Sequence, residues 1–231
     1  MMAREKKRTI VLMAILLCNT VLPGTGSAAE WKKVGEDQGI VGYTRTTPKS
    51  SIDEVMAVGT IDAPIQVVEA IIRDPNAGKR FMFMCKEACS ISTPDLQSTK
   101  DVMYNYNITD LPFPVKDRDA VARVEYTIDK ATGTIYSHAE GVKSDYRNTG
   151  KMVRMPLVTL DYKLVPKGAG KTEITYLAMA DPGGNLPPAL VNLLTRTIGI
   201  RTIANIRKLA KEAPYKDTPA VVTTTPAMSH P

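Results

Sequence analysis

Asp181-Pro182-Gly183-Gly184-Asn185-Leu186-Pro187-Pro188-Ala189-Leu190, running on through Val191-Asn-Leu-Leu-Thr-Arg-Thr-Ile-Gly-Ile200 to about Ala213, is the stretch on which the reading of this chain turns. Its glycines suit a tight turn, and its prolines suit a first helical turn, where no N–H is needed. The longest helical pattern in the chain follows. Residues 187–213 number 27, so one continuous helix would be about 40 Å long at about 1.5 Å per residue. What precedes it reads as a succession of strands, so a single late helix has to cover a sheet. The open question is whether it covers a solid core or a cavity.

Placed at 100° steps, Leu190, Val191, Leu193, Leu194, Ile198 and Ile200 share one half of the helix surface. Asn192, Thr195, Arg196 and Gly199 take the other half. From Arg201 to Glu212 the pattern reverses: Ile203, Ile206, Leu209 and Ala210 lie mostly on the opposite side, and charges occupy the face that was apolar. The switch falls at Gly199, and a glycine inside a helix costs about 1 kcal/mol relative to alanine. The expectation is therefore two pieces hinged at Gly199. The first piece, 183–198, opens on the Gly183-Gly184 turn and acts as a lid.

Upstream, Trp31-Lys-Lys-Val-Gly-Glu reads as a short helix or turn, and 39–45 and 52–61 as strands. Asp62-Ala-Pro64 starts a helix, with Asp62 as its cap and Ile65, Val68, Ile71 and Ile72 at helical spacing. Asp74-Pro-Asn-Ala-Gly78 stops it. Turn residues then divide strands near 88–93, 100–108, 118–128, 133–141, 151–155, 158–166 and 171–180. The order gives an α+β domain with an antiparallel sheet.

The first 29 residues stand apart. Arg4, Lys6, Lys7 and Arg8 form a basic n-region, Ile10 to Cys18 a short apolar run, and Ser27-Ala28-Ala29 a small-residue cleavage site. This is the pattern of a secretory signal, too short to span a membrane. Cys18 follows Leu17, where lipid attachment needs a small residue. The segment holds four basic residues and one acidic residue, so the net charge of +6 falls to near +3 on its removal. Mild basicity without a dense Arg/Lys cluster gives no support to nucleic-acid binding. The expected layout is a signal peptide at 1–29, a folded domain at 30–213 and a disordered Pro/Thr-rich tail at 214–231, in a periplasmic or secreted protein.

Cys85 and Cys89 remain after the signal. Outside the cytoplasm such a pair is expected as a disulfide, provided that Met84 to Cys89 is a turn. Four residues of extended strand would hold the two about 13 Å apart, and the alternative is two small thiols in a strand. Neither arrangement makes a metal site.

Strand alternation indicates which residues face inward. On 118–126, Arg118, Ala120, Ala122, Val124 and Tyr126 share one face, and Asp119, Val121, Arg123 and Glu125 share the face given to solvent. Ile135, Ser137 and Ala139 repeat the pattern of small inward residues. Such residues either let the helix approach closely or leave empty volume. The methionines of the sheet region, Met82, Met84, Met103, Met152, Met155 and Met179, suit irregular apolar ligands but are also ordinary core fillers. No catalytic constellation assembles: His138 shares its strand face with Tyr136 and Glu140, a surface pattern, and His230 lies in the tail. Neither a nucleophile elbow nor a phosphate loop is present. Arg118-Asp119 is either a buried polar anchor for a head group or a structural pair.

Five stretches in order carry a family resemblance: Trp31 with Gly39-Ile-Val-Gly-Tyr-Thr-Arg45; Lys79-Arg-Phe-Met with Lys86-Glu-Ala; Arg118-Asp119 after Pro112 and Pro114; Lys151-Met-Val-Arg154; and Asp181-Pro-Gly-Gly-Asn-Leu-Pro187. Together they resemble the START domain, the lipid-transfer module named for steroidogenic acute regulatory protein. The resemblance covers about 31–213. It implies a helix-grip fold, in which a curved antiparallel sheet and a long C-terminal helix enclose one hydrophobic tunnel for a lipid. The family's tryptophan after the first helix is replaced by Phe81 or Phe83. Where some sterol-binding members carry an acidic–basic pair, the alignment places Asn105 and Val124, both neutral. On 102–108 the alignment favours Asn105 as inward, whereas Val102, Tyr104, Tyr106 and Ile108 form the apolar face.

The resemblance and the strand faces name cavity-lining candidates: Met103, Tyr104, Asn105, Tyr106, Arg118, Ala120, Ala122, Val124, Met152, Leu190, Leu194 and Ile198, with Gly183, Gly184 and Gly199 as lid and hinge. The function implied is non-enzymatic binding or transfer of one hydrophobic molecule by a monomer, with no cofactor and transient contact with a membrane surface. The alternatives are a helix-grip enzyme of the cyclase or aromatase type, and a periplasmic partner-binding module with a filled core.

Overall fold

Alternation of β-branched and aromatic residues with polar ones draws most of the chain into strands, as the computed structural model shows. It describes residues 29–48, 50–168, 170–187, 191–192 and 196–219. The strands are β1 (Lys32–Asp37), β2 (Ile40–Thr47), β3 (Ser50–Ile61), β4 (Cys85–Ser90), β5 (Val102–Thr109), β6 (Arg118–Asp129), β7 (Thr134–Gly141), β8 (Val153–Arg154), β9 (Leu157–Pro166) and β10 (Thr172–Asp181). They form one curved sheet in the order β1-β2-β3-β10-β9-β7-β6-β5-β4, antiparallel throughout, with β8 adding a short parallel pair on β6. Among the described residues the helices are α1 (Ile65–Arg73), α2 (Gly78–Phe81) and α3 (Ile198–Leu209), and Val191 and Asn192 are also helical. This is the expected α+β helix-grip arrangement.

The first expected turn is in fact β1. Its backbone pairs with β2 from Lys32↔Thr44 to Asp37↔Ile40, and Trp31 stacks under the Arg45 guanidinium at 4.5 Å. Sheet pairing satisfies every other backbone group along an edge strand, an option that local propensity does not weigh. Helix α1 starts where expected, but on Pro64 with no side-chain cap; Asp62 lies instead near Lys171. Val68 and Ile71 are fully buried beneath it, and the Tyr126 hydroxyl donates to Ile72 O at 3.1 Å.

Helix α3 lies on β2, β3 and β10, held by Ile200, Ile203, Ile206 and Leu209. Its approach depends on missing side chains. A Cβ at Gly42 would stand 2.8 Å from Ile200 Cδ1, and a Cβ at Gly199 would stand 2.8 Å from both Ala57 Cβ and Tyr176 Cδ1. The expected division into two pieces is present, but the place of the break is corrected. The helix is not continuous over 187–213, because Arg196 and Thr197 form a turn and α3 begins at Ile198. The break therefore falls before Gly199, which is a close-packing residue within α3 rather than a hinge. The wheel registers a change of partner, and the glycine at that point answers to packing.

The disulfide is also corrected. Cys85 and Cys89 are free thiols along β4, paired opposite Thr109 and Tyr106 of β5. An extended strand holds their α-carbons beyond bridging range. The Cys85 thiol contacts Glu87 O, and burial pushes its pKa up to about 11. Beyond Ala213 the chain does not become a loose tail at once: Tyr215 is buried and its hydroxyl meets Asp74 Oδ2 at 2.5 Å. Residues 1–28 and 220–231, which hold nearly all of the expected signal and most of the tail, lie outside the described residues.

Gly199→Ala tests the seat of α3. Helix propensity alone would stabilise the variant by about 1 kcal/mol, but Ala57 Cβ cannot rotate away, and overpacking costs about 1–3 kcal/mol. The expected result is a lower urea midpoint; a raised one would show that the contact yields.

Candidate functional site

Because α3 is drawn onto β2, β3 and β10, the inward faces of β5, β6 and β9 are only partly covered, and two adjoining cavities open there. The first, at the loop end, holds about 160 Å³ of space open to the centre of a water-sized sphere; the second, at the helix end, holds about 120 Å³. Met82, Asn107, Val158, Leu160 and Tyr162 border both. Alternation supplies this wall. On β9, Val158, Leu160 and Tyr162 point inward in succession, and on β10 Tyr176, Ala178 and Ala180 do the same. Tyr162 and Tyr176 meet edge to face, ring centroids 5.6 Å apart.

The loop-end cavity is closed by Phe83, Met84, Leu111, Leu186, Val191 and Ile198. Its charged wall residue is Arg118, which is buried. Arg118 donates from Nε to Pro182 O at 3.1 Å, from Nη2 to Gly183 O at 3.1 Å, and from Nη1 to Lys116 O. One guanidinium thus ties the 110–117 loop to the Pro182–Gly183 turn. Burial pulls its pKa down from the ordinary arginine value. Gly183 and Gly184 adopt φ of 64° and 69°, and Asp181 Oδ1 accepts from Gly183 N at 2.8 Å. The turn expected to act as a lid hinge is therefore pinned at its base. Further along, Asn192 Oδ1 accepts from Asp53 N at 3.1 Å.

Asp119 is neither exposed nor paired with its neighbour. It faces the back of the sheet, where it accepts from Arg154 Nε and Nη2 at 3.0 and 2.9 Å and from the Tyr106 hydroxyl at 3.1 Å. Arg154 also donates to Ser144 O and Tyr146 O, fastening the 142–154 segment over β5 and β6. This creates a second apolar cluster of Ile91, Tyr106, Ile108 and Val121, packed by Tyr104, Tyr146 and Met152. The face given to solvent by alternation is thus buried at Asp119 and Val121, because a distant loop covers it. Burial, then Asp119, push the Tyr106 pKa up to about 12.

The register resolves β5. Asn105 pairs with Ala122 and Met103 with Val124, so Met103, Asn105 and Asn107 share the inward face with Ala120, Ala122 and Val124. Asn105, Ala122, Val124, Arg118 and Ile198 border the cavities. Met103 packs on the main core, and Ala120 is buried on the same face without bordering a cavity. Tyr104 and Met152 belong with the second cluster, which corrects their expected place in the lining, whereas Tyr106 packs in that cluster and also borders the helix-end cavity. Leu190 and Leu194 lie outside the described residues. Sequence reasoning missed Val158, Leu160 and Tyr162, whose strict alternation on β9 was the available signal, and Asn107, which follows Asn105 by two. His138 is on the outer face of the sheet, Nδ1 2.6 Å from Asp161 Oδ1, away from both cavities.

A family model for the START domain matches residues 12–213. An uncharacterized protein of Pseudomonas aeruginosa is 27% identical over 206 residues, covering 89% of this chain and 99% of its own. A STAR-related lipid transfer protein fragment from Xanthomonas axonopodis superposes with a TM-score of 0.71 at 25% identity, covering 79% of this chain and 99% of that one. Human StAR-related lipid transfer protein 5 superposes with a TM-score of 0.70 at 19% identity, covering 78% and 86%.

Arg118→Met should remove the tie between the two rim loops and leave three carbonyls short of a donor. Hydrogen bonds from a charged group and the penalty for unmatched acceptors together predict a loss of about 3 kcal/mol in urea unfolding. Faster amide exchange at Gly183 and Lys116 should accompany it. A loss under about 0.5 kcal/mol would show that the clamp is incidental.

Proposed function

The chain belongs to the START domain family, and from that premise we propose that it binds one lipid or other apolar molecule between sheet and α3 and carries it without transforming it. The observation that carries this reading is the pair of adjoining cavities walled by Met82, Val158, Leu160, Tyr162 and Tyr176. Their presence supports a ligand site over a filled core. The likeness to the STAR-related lipid transfer protein fragment from Xanthomonas axonopodis supports the same reading. Each buried methylene contributes about 0.8 kcal/mol. A ligand seating about ten of them gains about 8 kcal/mol before the cost of association.

Where the ligand passes is read from the loops. Phe113 is 97% exposed at the tip of the 110–117 loop, whose Leu111 borders the loop-end cavity. The loop is fixed from inside, since Asp117 Oδ1 accepts from Leu111 N and Asp117 Oδ2 pairs with Lys86. A rigid loop that holds a phenylalanine outward suits transient contact with a membrane surface. The basic and apolar N-terminal segment supports export, so the proposed setting is a bacterial periplasm or the exterior, with donor and acceptor membranes on either side of the journey.

Native mass spectrometry of gently purified protein should show one co-purifying or exchangeable lipid, and the absence of both would sink the reading. Phe113→Asp should slow transfer of a fluorescent lipid between vesicles about tenfold, consistent with the loss of one buried aromatic contact, while equilibrium binding stays unchanged. An unchanged rate would remove Phe113 from the route.

A further inference from the structure

The outer side of α3 carries a row of cations that no carboxylate answers. Arg201, Lys208 and Lys211 are exposed, and none of them joins an ion pair among the described residues. Glu212, the carboxylate nearest in sequence, is engaged by Arg80. With the half-buried Arg207 and the β1–β2 turn, these cations wall a groove of about 290 Å³. Its carboxylate among the described residues is Asp37, on the hairpin side, so four cations meet one acid.

The groove is held in shape from both sides. Gln38 and Gly39 take φ of 49° and 72°, the requirement of a two-residue hairpin turn. The carbonyl of Gln38 accepts from Arg207 Nη1 at 3.0 Å, and Thr60 O accepts from Nη2 at 2.8 Å. The hairpin is thereby fastened to α3. Arg207 keeps its charge, since a carbonyl supplies a hydrogen bond and no counter-charge. Cations at the end of a helix complement its dipole, which accounts for Lys208 and Lys211. The same dipole disfavours Arg201, which lies within four residues of the start of α3 with no acid in that turn. Arg201 rests instead over the Phe83 ring, 5.5 Å from its centre. An unpaired cation set against the dipole gains nothing from the fold's own electrostatics, so its use lies with a partner.

We propose that this groove docks an extended acidic segment of a partner polypeptide. Arg201 and Lys208 stand about 10 Å apart along the helix axis, and Lys211 lies a turn further on. One compact anion is too small to meet all three. Acids at alternate positions of an extended chain recur about every 6.6 Å, so three of them span about 13 Å. The Gln38 amide, beside the cations, offers a donor and an acceptor to a peptide backbone. A flat anionic bilayer fits less well: the cations flank a concavity, and Asp37 stands on its wall. Lys208 and Lys211 also lie at the end of α3 away from Ile198, which borders the loop-end cavity with Leu111 of the Phe113 loop.

The test is fluorescence anisotropy of a fluorescein-labelled heptapeptide of alternating threonine and glutamate, with its glutamine counterpart as control. It is read near 0.01 M salt, where charges act over about 30 Å. The glutamate peptide should bind and the glutamine peptide should not. Arg201→Gln combined with Lys208→Gln should weaken binding about tenfold, about threefold for each exposed charge pair lost. Lys143→Gln combined with Lys151→Gln removes the same charge at exposed positions off the groove and should change affinity less than about twofold. Equal losses in the two double variants would reduce the effect to net charge and overturn the proposal, as would failure of the glutamate peptide to bind. Release of the labelled peptide by inorganic tripolyphosphate at lower concentration than by unlabelled peptide would overturn it in favour of a compact anion. Binding of phosphatidylglycerol vesicles that is lost with Arg201 and Lys208, without binding of the peptide, would overturn it in favour of a membrane surface. The lipid-binding reading stands or falls separately, because Arg201, Lys208 and Lys211 lie outside both cavities.

Discussion

The close seat of α3 on β2, β3 and β10 is the constraint on which the other features depend. Three small residues, Gly42, Ala57 and Gly199, let the helix backbone approach until any added methyl would meet Ile200, Ala57 or Tyr176. A helix of 12 residues can press so tightly on only one part of a curved ten-stranded sheet. The strands beyond its reach, β5, β6 and β9, turn inward residues toward space that α1 and α2 fill only in part. Interiors are normally packed to crystal density, so tight packing at one end and cavities at the other are two results of the same geometry. Where Phe83 N donates to Thr202 Oγ1 and Asn205 Nδ2 to Phe81 O, α3 also fixes the segment that walls the cavities from below.

Arg118 and Asp119 show how a strand can serve two surfaces. Adjacent residues of β6 point to opposite faces, so the arginine reaches the rim of the loop-end cavity and the aspartate reaches the back. Each is buried, and each is satisfied by a loop distant in sequence: Pro182 and Gly183 for one, Arg154 for the other. The pair looks in sequence like a local salt bridge. In the fold it is two separate clamps, one holding the rim turn and one holding the cover of the second cluster. Buried charges persist when paired or fully hydrogen-bonded, and here both conditions are met by long-range partners.

That contrast explains what the sequence can show. Period-two alternation sets the strand spans within a few residues, and it assigns Ala120, Ala122 and Val124 to the side on which the structure places them. Alternation tells inside from outside only when one face meets solvent. The 142–154 segment covers the other face, so Val121 and Asp119 read as exposed although they are buried. Tyr104 passes for a cavity residue because both faces of β5 are apolar somewhere. Asn105 is legible through family resemblance alone, since its own polarity argues against burial. The disulfide fails for a local reason: spacing permits a bridge only in a turn, and strand pairing with β5 straightens Cys85–Ser90. The wheel of the last helix correctly registers a change of partner. It cannot distinguish a glycine that bends a chain from one that lets it approach a neighbour.

The polar atoms of the cavities follow from the same geometry. In a packed core, a tyrosine on β9 would place its hydroxyl against a backbone carbonyl, as Tyr126 does at Ile72. Tyr162, two strands over, borders the cavity with a buried hydroxyl that finds no partner among the described residues. Asn105 occupies the corresponding position on β5, opposite the small side chain of Ala122. The reach of the helices that opens the cavities therefore also leaves these two atoms unmatched. A fold that selected only for apolar volume would place Phe and Leu at the two positions at no cost in shape. Keeping oxygen there costs stability unless a buried water or a bound molecule meets the two atoms.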